Sequence, residues 1–249
     1  MSSVAQIPAD WLTPHWPVNA RVRACVTTAS SGNSSGPFAH FNVAEHVGDE
    51  PKQVQYNREW LARTLACTPV WIEQVHGIDV VPAIVGRHAV ADASFTRDPG
   101  VACAIMTADC LPVLFAASDG SCVAADHAGW RSLVAGVLEN TLDAMQVQPR
   151  NVIAWLGPGI GPQVYEVGPE VREAFLAQHQ HAEKAFMPSA RDGHWMADLY
   201  QLACMRLKAC GVTDIYGGGF CTYSDTRFYS YRRQTVTGRF ASLIWLAEP

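Results

Sequence analysis

The amino-acid sequence predicts an α/β (α+β) protein folded as a single domain over residues 1–249. Three observations predict it. Apolar runs of strand length recur along the chain, notably residues 101–106, 111–117 and 151–156; such runs, bounded by turn residues, read as buried strands. Stretches with apolar residues at helical spacing lie between them, as in residues 132–145. The chain has 249 residues, 49% of them hydrophobic. That suffices for a sizeable core, and α/β chains of this length often fold as one unit.

Taken in order, residues 1–20 are rich in Pro and Trp and read as an irregular lead-in. Residues 21–28 alternate apolar and polar, as a half-buried strand does. Residues 29–37, ASSGNSSGP, form a Gly/Ser loop. Asp49 is placed to cap a helix with Pro51 in its first turn, running to about Ala66 and burying Val54, Trp60, Leu61 and Leu65. Residues 70–75 and 79–85 read as strands joined at His76-Gly77. Residues 132–145 read as one helix whose core face carries Leu133, Val134, Val137, Leu138, Leu142 and Met145. The glycines and prolines of residues 157–162 mark a rigid turn. Residues 169–179 form a short amphipathic helix, and His179-x-His181 is a solvated helix end. Asp198 caps a further helix to Cys210, stopped by Gly211, and residues 239–246 close the chain as a strand.

The bulk properties exclude several function classes. A net charge of -5 leaves no broad basic surface for nucleic acid. The first residues lack a basic start followed by an apolar core, so no export signal is expected. The longest apolar region is broken by Asp109 and Pro112 and falls short of a membrane span. Eight cysteines occur without a CxxC pair, mostly inside apolar runs. A cytosolic protein with reduced thiols is expected.

The chemistry gathers in residues 101–131. Cys110 follows the first central strand and His127 ends a third apolar run, so a thiol and an imidazole are expected on neighbouring strand ends. His76 supplies a second imidazole. One Cys and two His suit an open zinc site, with three protein ligands and a fourth position for water. The spacings, 110 − 76 = 34 and 127 − 110 = 17 residues, suit ligands gathered from separate strands rather than a zinc finger. Zinc would bind Cys110 as thiolate and lower the pKa of bound water to about 7. Two other readings stand beside this one. Cys110 with His127 is also the pair of a cysteine nucleophile, with backbone donors near Gly129 for an oxyanion. The same residues also suit a buried Cys among satisfied core histidines. Asp109 and Asp126 are candidates to bond a histidine ring nitrogen, Asp109 otherwise being a turn residue. Arg227, Arg232, Arg233 and Arg239 could build an anion site.

Several segments together resemble the YfiH-type, or multicopper polyphenol oxidase (laccase-domain), family, whose members are regarded as purine nucleoside phosphorylases. They are Ser35-Gly36-Pro37-Phe38, Asn42, His46-Val47-Gly48-Asp49, Asn57-Arg58, Gln74-Val75-His76-Gly77 and Thr107-Ala108-Asp109-Cys110-Leu111-Pro112. His127-Ala128-Gly129-Trp130-Arg131, Gly157-Pro158 with Ile160-Gly161-Pro162, Tyr165-Glu166-Val167-Gly168, and Phe228-Tyr229-Ser230-Tyr231-Arg232-Arg233 with Thr237-Gly238-Arg239 complete the set. The resemblance implies central mixed sheets flanked by helices, in a fold related to a toxin deamidase. It implies zinc on His76, Cys110 and His127, with copper as the other metal. It implies phosphorolysis of adenosine, inosine, guanosine and methylthioadenosine, and deamination of adenosine. The sequence leaves monomer and homodimer both open. Asn42, His46, Arg58 and Arg233 are then the candidates for nucleoside and phosphate. The chain departs from the family pattern at Ser132, at Gln234 and across residues 28–32. Copper-dependent oxidation of phenols is the first alternative, yet it needs clustered histidines, and this chain has nine with one His-x-His pair. An amidase or deamidase using Cys110 and His127 is the second, and a non-catalytic scaffold the third.

Overall fold

The structure is a computed structural model that describes residues 7–179 and 181–248. Its strands, in chain order, are β1 (Val22–Val26), β2 (Thr68–Trp71), β3 (Val80–Pro82), β4 (Ala93–Thr96), β5 (Val101–Thr107), β6 (Leu111–Ala117) and β7 (Val123–Ala128). They continue with β8 (Val152–Leu156), β9 (Glu166–Val167), β10 (Phe186–Pro188), β11 (Trp195–Ala197), β12 (Asp214–Gly217) and β13 (Phe240–Leu246). The helices are α1 (Pro51–Leu65), α2 (Trp130–Ala135), α3 (Val137–Met145), α4 (Pro169–Gln178) and α5 (Leu199–Ala209).

Two mixed sheets stack between layers of helix. One has the order β1-β13-β5-β2, the other β12-β8-β6-β7-β4-β3. Side-chain alternation explains the stacking. Along β5, Ala102, Ala104 and Met106 join the cluster containing Leu61 and Leu65 of α1, while Cys103 and Ile105 join the cluster between the sheets. Along β6, Leu114 and Ala116 face that inter-sheet core. Leu111, Val113 and Phe115 face the core formed with Leu138 and Leu142 of α3 and Leu202 and Leu207 of α5. Strands covered on both faces need apolar residues at every position, which is why β5 and β6 read as continuous runs rather than alternating ones. Truncating one of these buried anchors, such as Phe115→Ala, would cost about 3–5 kcal/mol.

The expected fold class therefore stands, with local corrections. The helix expected over residues 132–145 is two, broken at Gly136, whose φ of 108° ends α2 and starts α3. Both pieces bury one side in the same core, so the helical spacing survives the break. Asp49 does not cap α1: Glu50 holds that position, and Asp49 accepts from the Asn42 amide and the Glu50 backbone N–H. Asn57 takes the buried place expected of Trp60, which is partly buried. The strands expected at 70–75 and 79–85 are shorter and belong to different sheets. Asp198 caps α5 as expected, accepting from the Gln201 N–H, and Gly211 follows with a φ of 91°. The third sheet, β10-β11-β9, has strands of two or three residues, too short to show a period. No described helix is long and apolar enough to cross a membrane.

A candidate metal centre where the chain changes sheets

Strand register brings the three ligand candidates together. β5 ends in one sheet, β6 begins in the other, and Ala108-Asp109-Cys110 is the crossing. β6 pairs antiparallel with β7, with Pro112 opposite His127, so Cys110 emerges beside His127. His76 comes from the segment between β2 and β3, which also passes from one sheet to the other. The metal-binding atoms of His76, Cys110 and His127 all lie within 4.8 Å of one another. Cys110 Sγ is 3.8 Å from His76 Nε2. The two imidazole rings are 4.6 Å apart at 72°.

One buried carboxylate organises both histidines. Asp92 precedes β4, whose Ala93 pairs with Asp126 on β7. Its Oδ1 accepts from His127 Nδ1 at 2.8 Å and from the His76 backbone N–H at 2.9 Å. Its Oδ2 accepts from the N–H groups of Val75 and Gly77. A carboxylate only accepts, so this contact fixes the Nδ1–H tautomer and leaves Nε2 of His127 as the free ring nitrogen. Burial raises the Asp92 carboxyl, but the hydrogen bonds from His127, Gly77 and Val75 hold it below the usual range.

The same contacts set the charge of the thiol. Burial raises Cys110, yet His127 and then His76 outweigh it and bring the thiol down to about 6. Burial lowers His127, yet the Cys110 thiolate and Asp92 outweigh it and raise the imidazole to about 9. Without a metal both shifts favour a thiolate beside an imidazolium, whose Nε2 proton a metal would displace.

The Cys110–His76 edge of the cluster has the spacing of a tetrahedral ion. Ligand lengths of about 2.1 Å for nitrogen and 2.3 Å for sulfur place neighbouring ligand atoms about 3.6 Å apart; Cys110 Sγ and His76 Nε2 meet that spacing. Gly129 supplies the room: a Cβ there would lie 3.0 Å from Cys110 Sγ and 3.0 Å from His76 Cδ2. His127 is 3% exposed, whereas His76 is exposed, so the cluster opens on one side. It opens into a cavity of about 400 Å³ whose walls include His46, Gln74, Trp130, Arg131, Tyr165, Tyr231, Arg232 and Arg239.

The other sequence candidates divide. His46 lines this cavity and also a neighbouring groove, which Arg58 lines. Asn42 is fully buried and lines neither: it donates to Ala44 O and Asp49, and accepts from the N–H groups of Ala44 and Arg239. Arg233 gives its terminal nitrogens to the carbonyls of Thr222, Tyr223 and Phe228. Arg227 is paired with Asp225 at 2.7 Å. Neither proposed aspartate reaches a histidine ring. Asp109 accepts from Thr222 Oγ1 and the Arg232 N–H, and Asp126 accepts from Thr141. Their place is taken by Asp92, missed although it stands as a lone carboxylate between Ala91 and Ala93.

A family model described as multi-copper polyphenol oxidoreductase laccase matches residues 23–247. A purine nucleoside phosphorylase of Pseudomonas aeruginosa is 58% identical over 96% of this chain and 99% of its own length. The purine nucleoside phosphorylase YfiH of Escherichia coli is 49% identical over 94% of this chain and 98% of its own. A crystal structure of a Neisseria meningitidis protein superposes with a TM-score of 0.94 at 45% identity, covering 96% of this chain and all of the other. Match lengths of this kind, joined to a shared fold, show that the chain belongs to the laccase-like YfiH family, whose curated relatives are named purine nucleoside phosphorylases.

Proposed function

We propose that the chain is a zinc-dependent purine nucleoside phosphorylase that also deaminates adenosine. The observation that carries this reading is the convergence of His76, Cys110 and His127 within 4.8 Å, in a chain 58% identical to a relative named purine nucleoside phosphorylase. A thiolate and two neutral imidazoles suit zinc, with copper as the competitor for the same soft donors. His76, Cys110 and His127 would hold the ion, and zinc bound there would supply a Lewis acid able to lower the pKa of water to about 7.

The chain's own groups have defined work in both reactions. In phosphorolysis, phosphate oxygen bonds to ribose C1′ while the bond from C1′ to the purine nitrogen breaks and the purine leaves with that electron pair. In deamination, water oxygen replaces the amino group at purine C6 and ammonia departs. Asp92 holds His127 in one tautomer and the His76 backbone in place, so the ligand nitrogens need no rearrangement. Trp130, Tyr165 and Tyr231 give the cavity apolar faces suited to a purine ring. Burial, then Arg239 and Arg58, keep His46 below the usual imidazole range, so it meets the nucleoside as a neutral donor and acceptor. Arg58 acts from the neighbouring groove. Asn42 acts indirectly, by holding the Arg239 backbone, and Arg233 by holding the loop that ends in Tyr231 and Arg232.

One observation favours a second reading. Cys110, His127 and Asp92 stand in the order of a nucleophile, its base and the group orienting that base. That order suits an amidase or deamidase. Incubation with adenosine and phosphate, followed by chromatography of adenine, inosine and ribose phosphate, separates the two. Products lost on chelation, restored by zinc and absent from Cys110→Ala support the phosphorylase. Activity on an amide with a covalent adduct at Cys110, indifferent to chelators, supports the amidase.

A further inference from the structure

We propose that Arg239, Arg131 and Arg232 form a subsite for a phosphate dianion in the cavity beside the His76–Cys110–His127 cluster. The proposal deepens the phosphorylase reading and rests on it for the identity of the reaction, though the subsite itself is open to separate measurement.

The arginines of this region sort by what already satisfies them. Arg58 is paired with Glu45 at 2.9 Å and bonds Val43 O. Arg227 is paired with Asp225. Arg233 is held by three carbonyls. Arg239, Arg131 and Arg232 differ on two counts. Among the described residues none has a carboxylate within salt-bridge distance, and all three line one cavity. Asp109 is the one acidic residue on that wall, and its oxygens already accept from Thr222 and the Arg232 N–H.

Arg239 is the anchor. Its backbone N–H is held by Asn42 at 2.9 Å, and one terminal nitrogen bonds the carbonyls of Thr237 and Gly238 at 3.0 Å each. Nε and the other terminal nitrogen have no partner among the described residues. The side chain is half-buried, and burial pulls its guanidinium below the ordinary value. A guanidinium placed in this way gains from an anion that replaces its lost water. Arg131 lies 4.4 Å above the Trp130 ring and makes no hydrogen bond within the described residues, so its whole fork is available. Arg232 bonds the carbonyls of Val164 and Glu166 at 3.2 Å and contributes chiefly charge. Two open guanidinium forks and a third fixed positive charge match a tetrahedral dianion better than a carboxylate, which one fork would satisfy.

The dianion has two possible sources, free phosphate or the 5′-phosphate of a nucleotide. Titration calorimetry of the zinc-loaded protein with inorganic phosphate, adenosine and adenosine 5′-monophosphate tests the subsite and its source. Arg239→Gln should weaken phosphate binding by about tenfold to a hundredfold, Arg131→Gln by less. Adenosine affinity should stay within about twofold, and Arg227→Gln should bind phosphate as wild type does. Phosphate binding unaffected by saturating adenosine supports the subsite and assigns it to the free ion. Competition between phosphate and adenosine 5′-monophosphate, both weakened by Arg239→Gln, supports it and assigns it to the nucleotide. Equal phosphate affinity in wild type and a folded Arg239→Gln overturns it. If Arg239→Gln unfolds because the carbonyls of residues 237 and 238 lose their donor, Arg131→Gln decides, since its side chain bonds nothing; unchanged phosphate affinity there overturns the shared subsite. Phosphorolysis that none of these variants alters sinks the subsite and leaves the reaction standing. Phosphate binding that the variants abolish, in a protein without phosphorolysis, sinks the reaction and leaves the subsite.

Discussion

The two connections that flank β6 use similar residues to opposite ends. Both contain an aspartate, a cysteine and a residue with positive φ. In the hairpin between β6 and β7, Gly120 takes the positive φ of 73°, Asp119 accepts locally from the Ser121 N–H, and Cys122 is buried with its thiol raised by burial. In the crossing between β5 and β6, Asp109 itself takes a φ of 94°, and its carboxylate bonds Thr222 and Arg232, more than a hundred residues away. Cys110 then faces two histidines and its thiol falls to about 6. The hairpin satisfies itself locally, whereas the crossing holds a less comfortable backbone through distant partners.

The largest expected difference comes from removing each thiol. Cys110→Ala should abolish metal binding and nucleoside turnover, read by metal analysis and chromatography. Cys122→Ala should keep both and lower stability by about 1 kcal/mol, read by denaturant unfolding.

Next in size is the carboxylate behind the crossing. Asp92→Asn should weaken zinc binding by about tenfold to a hundredfold, measured against a competing chelator. It should also make unfolding less sensitive to acid. The Asp92 carboxyl is depressed in the folded protein, so its contribution is present above the unfolded value of about 4 and is lost as pH falls through the folded value.

The electrostatic contrast is smaller but sharper. In metal-free protein, alkylation of Cys110 should rise with a midpoint near pH 6, while Cys122 resists until above the ordinary thiol range. The sign follows from the proton: above the midpoint Cys110 is the thiolate, which is the nucleophile. A midpoint near the ordinary thiol value would break the comparison.

The smallest effect belongs to the hairpin glycine. Gly120→Ala should cost about 1–2 kcal/mol, because an L side chain is disfavoured at positive φ, and should leave metal affinity and turnover unchanged. A loss of activity there would mean that the two ends of β6 are coupled.

How much of this was legible beforehand varied by element. β5, β6 and β8 were readable because burial on both faces demands unbroken apolar runs. The cap at Asp198 was readable because capping is a contact between residues three apart. His76, Cys110 and His127 were readable as a candidate ligand set by residue type and through family resemblance, and the structure brings them within reach of one another. The break at Gly136 was not, because a helical period that buries the same side before and after a kink looks continuous. Asp92 was not, because its partners are His127 and three amides at 75–77, and no local pattern connects them. The arginines were legible only as a group; their hydrogen bonds, not their positions in the chain, separate Arg233 from Arg239.

By itself the sequence determined which segments must be covered by other segments, and which side chains are the candidates for the chemistry, since both follow from residue type and short-range period. Only the tertiary structure decided that the chain changes sheets at Asp109-Cys110, which carboxylate sets the histidines, and which guanidinium groups have no carboxylate partner among the described residues. Those are outcomes of pairing between distant residues, where strand register and burial choose among partners that local propensity treats alike.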